Sequence, residues 1–181
     1  MIPGAMMTLD EIAPFIRAVP DFPRPGILFR DLTPLLGCGA AFQATTAALA
    51  ERAAGYDLIA GVEARGFLFG AALAQLTGKG LVIVRKPGKL PHNSIGHDYA
   101  LEYGTDRLEL HADAVPQGAH VLMIDDVLAT GGTAEAAVSL LRKAGGRVSQ
   151  ALFVLELEGL AGAARLEAQG VNAQSLFRFP A

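Results

Sequence analysis

The chain has 181 residues, enough for one domain with a substantial core. Half of it is hydrophobic (51%) and 18% is charged, which excludes a disordered or fibrous protein. A formal net charge of −3 and a pI near 5.8 exclude a global basic field for nucleic acid or an acidic membrane, so an anionic ligand must be held by a few placed cations and backbone N–H groups.

Cys38 is the only cysteine, so an intramolecular disulfide and a cysteine-built metal site are excluded, and a reducing cytoplasm fits. Apolar runs such as those at 81–84 and 121–124 are far too short to span a bilayer. The opening MIPGAMM lacks the charged and long apolar regions of a signal peptide and reads as a flexible start.

Along the chain, Thr8-Leu9-Asp10-Glu11 forms a capping box, and the helix it opens carries Ile12, Phe15, Ile16 and Val19 on one face. Pro14 predicts a kink or an early end. Residues 19–30 (VPDFPRPGILFR) hold three prolines and read as a stiff, irregular segment ending in Arg30. Residues 39–54 are rich in helix formers and close at Gly55. Then strands and helices alternate: strand 58–62, helix 67–76, strand 81–84, strand 121–124, helix 133–144, strand 148–155, helix 160–168 and strand 175–179. The strands are too apolar for one wet face. The pattern therefore predicts an α/β fold, a mostly parallel central sheet with helices on both faces. Residues 86–110 break the alternation, with a hairpin predicted from 99–103 and 107–110 around Gly104-Thr105. An excursion of this length inside a compact domain reads as a flexible binding loop.

The most informative stretch is 121–133, VLMIDDVLATGGT. A buried strand delivers Asp125 and Asp126 to its carboxyl end, where open α/β sheets bind ligands. Adjacent carboxylates there need cationic or hydroxylic partners, and a ribose diol offers two O–H donors. Ala129-Thr130-Gly131-Gly132-Thr133 then opens a helix, so its N–H groups and hydroxyls suit a phosphate monoester. Together these match the two ends of a ribose 5-phosphate. Neither a P-loop nor a Rossmann fingerprint occurs.

VLMIDDVLATGGT resembles the signature of the type I phosphoribosyltransferases. Four more segments, DFPRPGILFRDLTPLL at 21–36, GVEARGFLFG at 61–70, VRKPGKLP at 84–91 and DYALEYG at 98–104, resemble the adenine-specific branch of that family. The resemblance runs from residue 9 to residue 177. It implies the type I phosphoribosyltransferase fold as a single domain over 1–181, with an N-terminal hood and base-recognition segment at 1–36 and a flexible catalytic loop at 86–110. It implies transfer of phosphoribosyl from 5-phosphoribosyl 1-diphosphate to adenine, giving AMP and pyrophosphate.

The resemblance also carries residue roles. It assigns Asp125 and Asp126 to the ribose hydroxyls, and Ala129, Thr130, Gly131, Gly132 and Thr133 to the 5-phosphate. Pyrophosphate would meet Glu63, Ala64, Arg65, Lys86 and Lys89, the lysines often reaching across from a neighbouring subunit. Adenine would meet Leu28, Phe29 and Arg30. Arg65 and Glu102 are the expected catalytic groups, Glu102 as general base or as hydrogen-bond partner to the purine N7. Mg²⁺ is the implied cofactor, held by substrate phosphates and water without a direct protein ligand. A cytoplasmic homodimer is implied, with no nucleic-acid or membrane partner.

Each of these residues also has a plainer reading. Lys86 and Lys89 could be solvated loop lysines, Glu102 an ordinary hairpin carboxylate, and Arg65 a local partner of Glu63. His92, His97, His111 and His120 show no metal-ligand spacing, and Phe67 and Phe69 read as core.

Overall fold

The computed structural model describes residues 6–100 and 105–181. Thr8 caps the first helix, α1 (Leu9–Ile12), and Glu11 reaches back to the Thr8 amide at 2.8 Å. Pro14 then turns the chain into a 3₁₀ segment, Ala13–Phe15, so the predicted early end is where it was expected. The next stretch corrects the sequence reading. Of residues 19–30 only the middle is irregular: β1 (Arg17–Pro20) pairs antiparallel with β2 (Leu28–Asp31), and 21–27 form the connecting turn. Two exposed strands have free edges, so proline is tolerated at the end of one. Asp21 closes the connecting turn by accepting from the Gly26 amide at 2.8 Å.

Helices α2 (Thr33–Gly37) and α3 (Gly39–Ala50) follow. The central sheet then forms from β3 (Leu58–Val62), β4 (Gly80–Val84), β7 (Val121–Leu128), β8 (Gln150–Glu158) and β9 (Asn172–Pro180). All its neighbours are parallel, in the order β4-β3-β7-β8-β9. Its crossovers are α4 (Gly66–Thr77), α5 (Gly132–Lys143) and α6 (Gly162–Glu167).

The apolar runs are buried on both faces. On β7, Leu122 and Ile124 pack with α3 and α4, while Val121 and Met123 pack with α5. Ile12, Ile16, Leu32 and Leu35 enter the first of these cores, so the N-terminal segment is anchored on the same face as α3 and α4.

Between β4 and β7 the chain makes β5 (Ser94–Ala100) and β6 (Thr105–His111), an antiparallel pair. Thr105 is thus a paired strand residue rather than part of the turn, and both strands begin earlier than the sequence suggested. The pair is tied to the sheet edge where Arg85 and Glu109 exchange backbone hydrogen bonds of 2.8 Å, and to α5 where Lys143 donates to the Gly96 carbonyl at 3.0 Å.

Strand order reverses between β3 and β7. From β3 the chain crosses to β4 on one side, and from β7 it crosses to β8 on the other. A sheet of this kind leaves a crevice at the carboxyl ends of the two strands flanking the reversal.

Candidate active site

The crevice holds most of the predicted residues. The aspartates lie within β7, not beyond it. Asp125 still pairs with Phe153 of β8, whereas the pairing with β3 stops at Gly61 and Ile124. The rim is therefore half open at the two carboxylates. Asp125 Oδ1 accepts from the Asp126 amide at 2.8 Å. Asp126 is 6% exposed, and its Oδ2 lies 2.6 Å from Arg65 Nε without an aligned hydrogen bond. Burial pushes both carboxyls above the usual range; in Asp125 the neighbouring Asp126 charge adds to this, and in Asp126 the Arg65 cation opposes it.

Gly66 lets α4 start against this pair. A Cβ there would stand 2.7 Å from Asp125 Oδ1 and 3.1 Å from Asp125 Cα. The glycine loop is as tightly built. Residues 129–133 line a cavity of about 120 Å³ together with Asp125, Val127, Leu128 and Ala134. Gly131 caps α5 at φ +81, a left-handed conformation, and a Cβ would meet the Gly162 backbone at 3.0 Å. A larger depression of about 580 Å³ between α6 and β9 lies away from the aspartates and the glycine loop.

Glu63 and Arg65 do not pair with each other. Glu63 faces the segment after β4 and accepts from the Lys86 amide (2.9 Å), Lys89 Nζ (2.8 Å) and Arg85 Nε (3.2 Å). Burial alone would raise its pKa; the bonds from Lys89, the Lys86 amide and Arg85 outweigh it and bring the pKa down to about 2. The Glu63–Ala64 peptide bond is cis. Lys86 turns away from Glu63, and its ammonium contacts the Asp106 carboxylate and the Tyr99 hydroxyl.

Of the expected base-recognition residues, Phe29 alone reaches this group, with its ring 5.5 Å from the Arg65 guanidinium and 5.1 Å from the Phe22 ring. Strand alternation sends Arg30 to the other face, where it stacks 4.3 Å over Phe179. Leu28 is 40% exposed at the strand end. Glu102 lies outside the described residues.

Sequence reasoning missed Arg85, Tyr99 and Asp106. Arg85 was visible as a cation beside Lys86, but its partner Glu63 is 22 positions away. Phe69 is fully buried as expected, while Phe67 lies 5.9 Å below the Arg85 guanidinium. Among the described residues no cluster of His, Cys, Asp and Glu could hold a metal ion, and no helix is long and apolar enough to cross a membrane.

The phosphoribosyl transferase domain family matches residues 39–168. An adenine phosphoribosyltransferase of Novosphingobium aromaticivorans is 53% identical over 176 residues, 96% of this chain and 99% of the relative. The crystal structure of adenine phosphoribosyltransferase from Thermoanaerobacter pseudethanolicus superposes with a TM-score of 0.90 at 49% identity, covering 95% of this chain and 100% of that one. The Saccharomyces cerevisiae enzyme, solved with an imino-altritol bisphosphate and adenine, gives 0.87 at 37% identity, covering 93% and 97%. With a domain match over most of its length and relatives more than half identical from end to end, the chain belongs to the phosphoribosyltransferase family and, within it, to the adenine phosphoribosyltransferases.

Proposed function

We infer that this chain transfers the phosphoribosyl group of 5-phosphoribosyl 1-diphosphate to adenine, releasing AMP and pyrophosphate. The observation that carries the reading is the near full-length identity with adenine phosphoribosyltransferases. A crevice joining two rim carboxylates, a glycine loop and several cations supports it.

In this reading adenine N9 attacks the anomeric carbon, the bond to pyrophosphate breaks, and the N9 proton is lost. The transition state carries oxocarbenium character, so no protein nucleophile is required. Asp125 and Asp126 accept from the ribose hydroxyls, and the raised pKa of each favours a ligand that brings donors. Residues 129–133 bind the 5-phosphate through backbone N–H groups at the start of α5. Arg65, Lys86 and Lys89 stabilise the departing charge, and Glu63 acts as a scaffold for the segment that carries the two lysines more than as a ligand. Phe29 offers an apolar face beside Arg65 for the purine. Glu102 is assigned by resemblance to the purine imidazole, as base or as hydrogen-bond partner.

Asp126 Oδ2, ion-paired with Arg65 but without an aligned hydrogen bond, forms with Asp125 an acceptor set that suits hydroxyls and the water shell of Mg²⁺. Asp125 and Asp126 would hold the water shell of a Mg²⁺ carried by the substrate phosphates, and that ion would supply neutralisation of the diphosphate charge. A homodimer is supported by Leu68 and Leu76 on α4 and Leu81 on the edge strand β4, which are 38–54% exposed. A lone cysteine fits a cytoplasmic setting.

Purified protein with 5-phosphoribosyl 1-diphosphate, Mg²⁺ and each purine base in turn tests the reading. AMP from adenine is expected; turnover of hypoxanthine or guanine without adenine overturns it.

A further inference from the structure

Lys86 is held by residues to which the family resemblance gave no role. Tyr99 and Asp106 are directly opposed in the β5–β6 register. Cross-strand neighbours often pair with each other, and the Tyr99 hydroxyl donates to Asp106 Oδ2 at 2.9 Å. Lys86, 13 positions before Tyr99, brings its ammonium onto both, 3.1 Å from the Tyr99 hydroxyl and in an ion pair with Asp106. The ammonium also lies 5.6 Å from the centre of the Tyr99 ring.

Counting donors defines what the arrangement does. A tyrosine hydroxyl has one proton and two acceptor lone pairs. With its proton on Asp106, its lone pairs accept from Lys86 and approach Thr133 Oγ1 at 3.4 Å. Tyr99 is thereby braced between the leaving-group segment and the glycine loop. The Lys86 ammonium has three donors, and two are committed to Asp106 and Tyr99. The third is left with a fixed direction on a side chain that is 35% exposed.

We propose that Tyr99 and Asp106 are positioning residues for the leaving-group lysine: they hold two of the three Lys86 donors so that the third is aimed at pyrophosphate. A lysine on a four-carbon stem otherwise loses rotamer freedom on meeting its ligand, and fixing it beforehand removes part of that cost. Asp106 and Tyr99 also hold Lys86 in its charged form, against the opposing pull of burial.

The proposal rests on the reading of Lys86 given above, and its test separates the two. Pyrophosphate with Mg²⁺ is titrated into the full chain and into Tyr99→Phe, Asp106→Asn, Lys86→Ala and the two double variants, with AMP formation assayed separately. Tyr99→Phe and Asp106→Asn should each weaken pyrophosphate about fivefold, the scale of one hydrogen bond to a charged group. In the Lys86→Ala background neither should have a further effect beyond about 1.5-fold, because nothing remains to be aimed. Equal losses in both backgrounds overturn the proposal, and so does a Lys86→Ala variant that binds as tightly as the parent. Should Asp106→Asn fail to fold, the Tyr99→Phe cycle decides alone. The Lys86 Cε resonance of ¹³C-lysine-labelled protein supplies a second readout: its titration should move to lower pH in Asp106→Asn, and an unmoved titration overturns the role of Asp106. AMP formation with an additive cycle removes this proposal and leaves the proposed function standing; a coupled cycle without AMP formation does the reverse.

Discussion

Residues 129–133 and the region of residues 85–100 and 105–111 touch through Thr133 and Tyr99, yet they are built by different means. The glycine loop is made of backbone. It follows directly from β7, turns at a left-handed glycine, and rests on the Gly162 backbone. The other region is made of side chains. It gathers Glu63, Arg85, Lys86, Lys89, Tyr99 and Asp106 from three separate stretches and holds them by ion pairs and hydrogen bonds. A backbone site is exact in shape and fails when its geometry is changed. A side-chain site is tuned by charge, so it should fail by degrees and respond to pH.

The strongest way to break the first region is Gly131→Ala. The added methyl must occupy a left-handed conformation and meet Gly162, so kcat/KM for 5-phosphoribosyl 1-diphosphate should fall by more than about a hundredfold. Steady-state kinetics check this, and a loss under tenfold would mean that the loop adapts. Arg65→Ala should cost about a hundredfold in kcat, the usual price of one aligned charge, while adenine affinity changes less.

Glu63→Gln probes the second region and should cost about tenfold, since the Lys89 contact weakens while the Lys86 amide keeps an acceptor. Its stability effect has a definite pH window. Glu63 has its pKa lowered from 4.5 to about 2 on folding, so its contribution is complete above 4.5 and is lost as pH falls toward 2. Thermal unfolding between pH 6 and pH 2 should show a shallower decline for Glu63→Gln than for the parent.

The smallest effect has the opposite sign. Burial raises the Asp125 pKa, so its contribution is fully present below 3.8 and lost as pH rises through the raised value. At neutral pH Asp125→Asn should therefore raise Tm by about 3 °C while lowering turnover. A lower Tm would show that the charge is well solvated in the folded state.

The same contrast explains what the sequence disclosed. The three inner strands β3, β7 and β8 were legible because each is an apolar run buried on both faces, the edge strands β4 and β9 only through shorter apolar stretches, and the glycine loop because its carboxylates, glycines and helix start are consecutive. The β1–β2 hairpin was hidden by Pro20, Pro23 and Pro25, which argue against strands in general but not at a free edge. A local pair of Arg65 with Glu63 was the plainer reading at two-residue spacing. Only the fold shows that β3 ends between the two neighbours that claim them, Asp126 on one side and Arg85 with Lys89 on the other. Asp106 was invisible for the same reason, because its meaning depends on the strand register that sets Tyr99 opposite it.

The ion pairs around Glu63 also bear on how quickly an anion arrives. Among the described residues, Arg85, Lys86, Lys89 and Arg107 are matched by Glu63, Asp98, Asp106 and Glu109, four cations against four carboxylates. Beyond a Debye length of about 8 Å at physiological ionic strength, such a set projects little net field. Attraction is thus confined to the last approach, where individual donors face the ligand. Encounter between the diphosphate substrate and this rim should depend only weakly on added salt, unlike proteins that draw anions in from a distance.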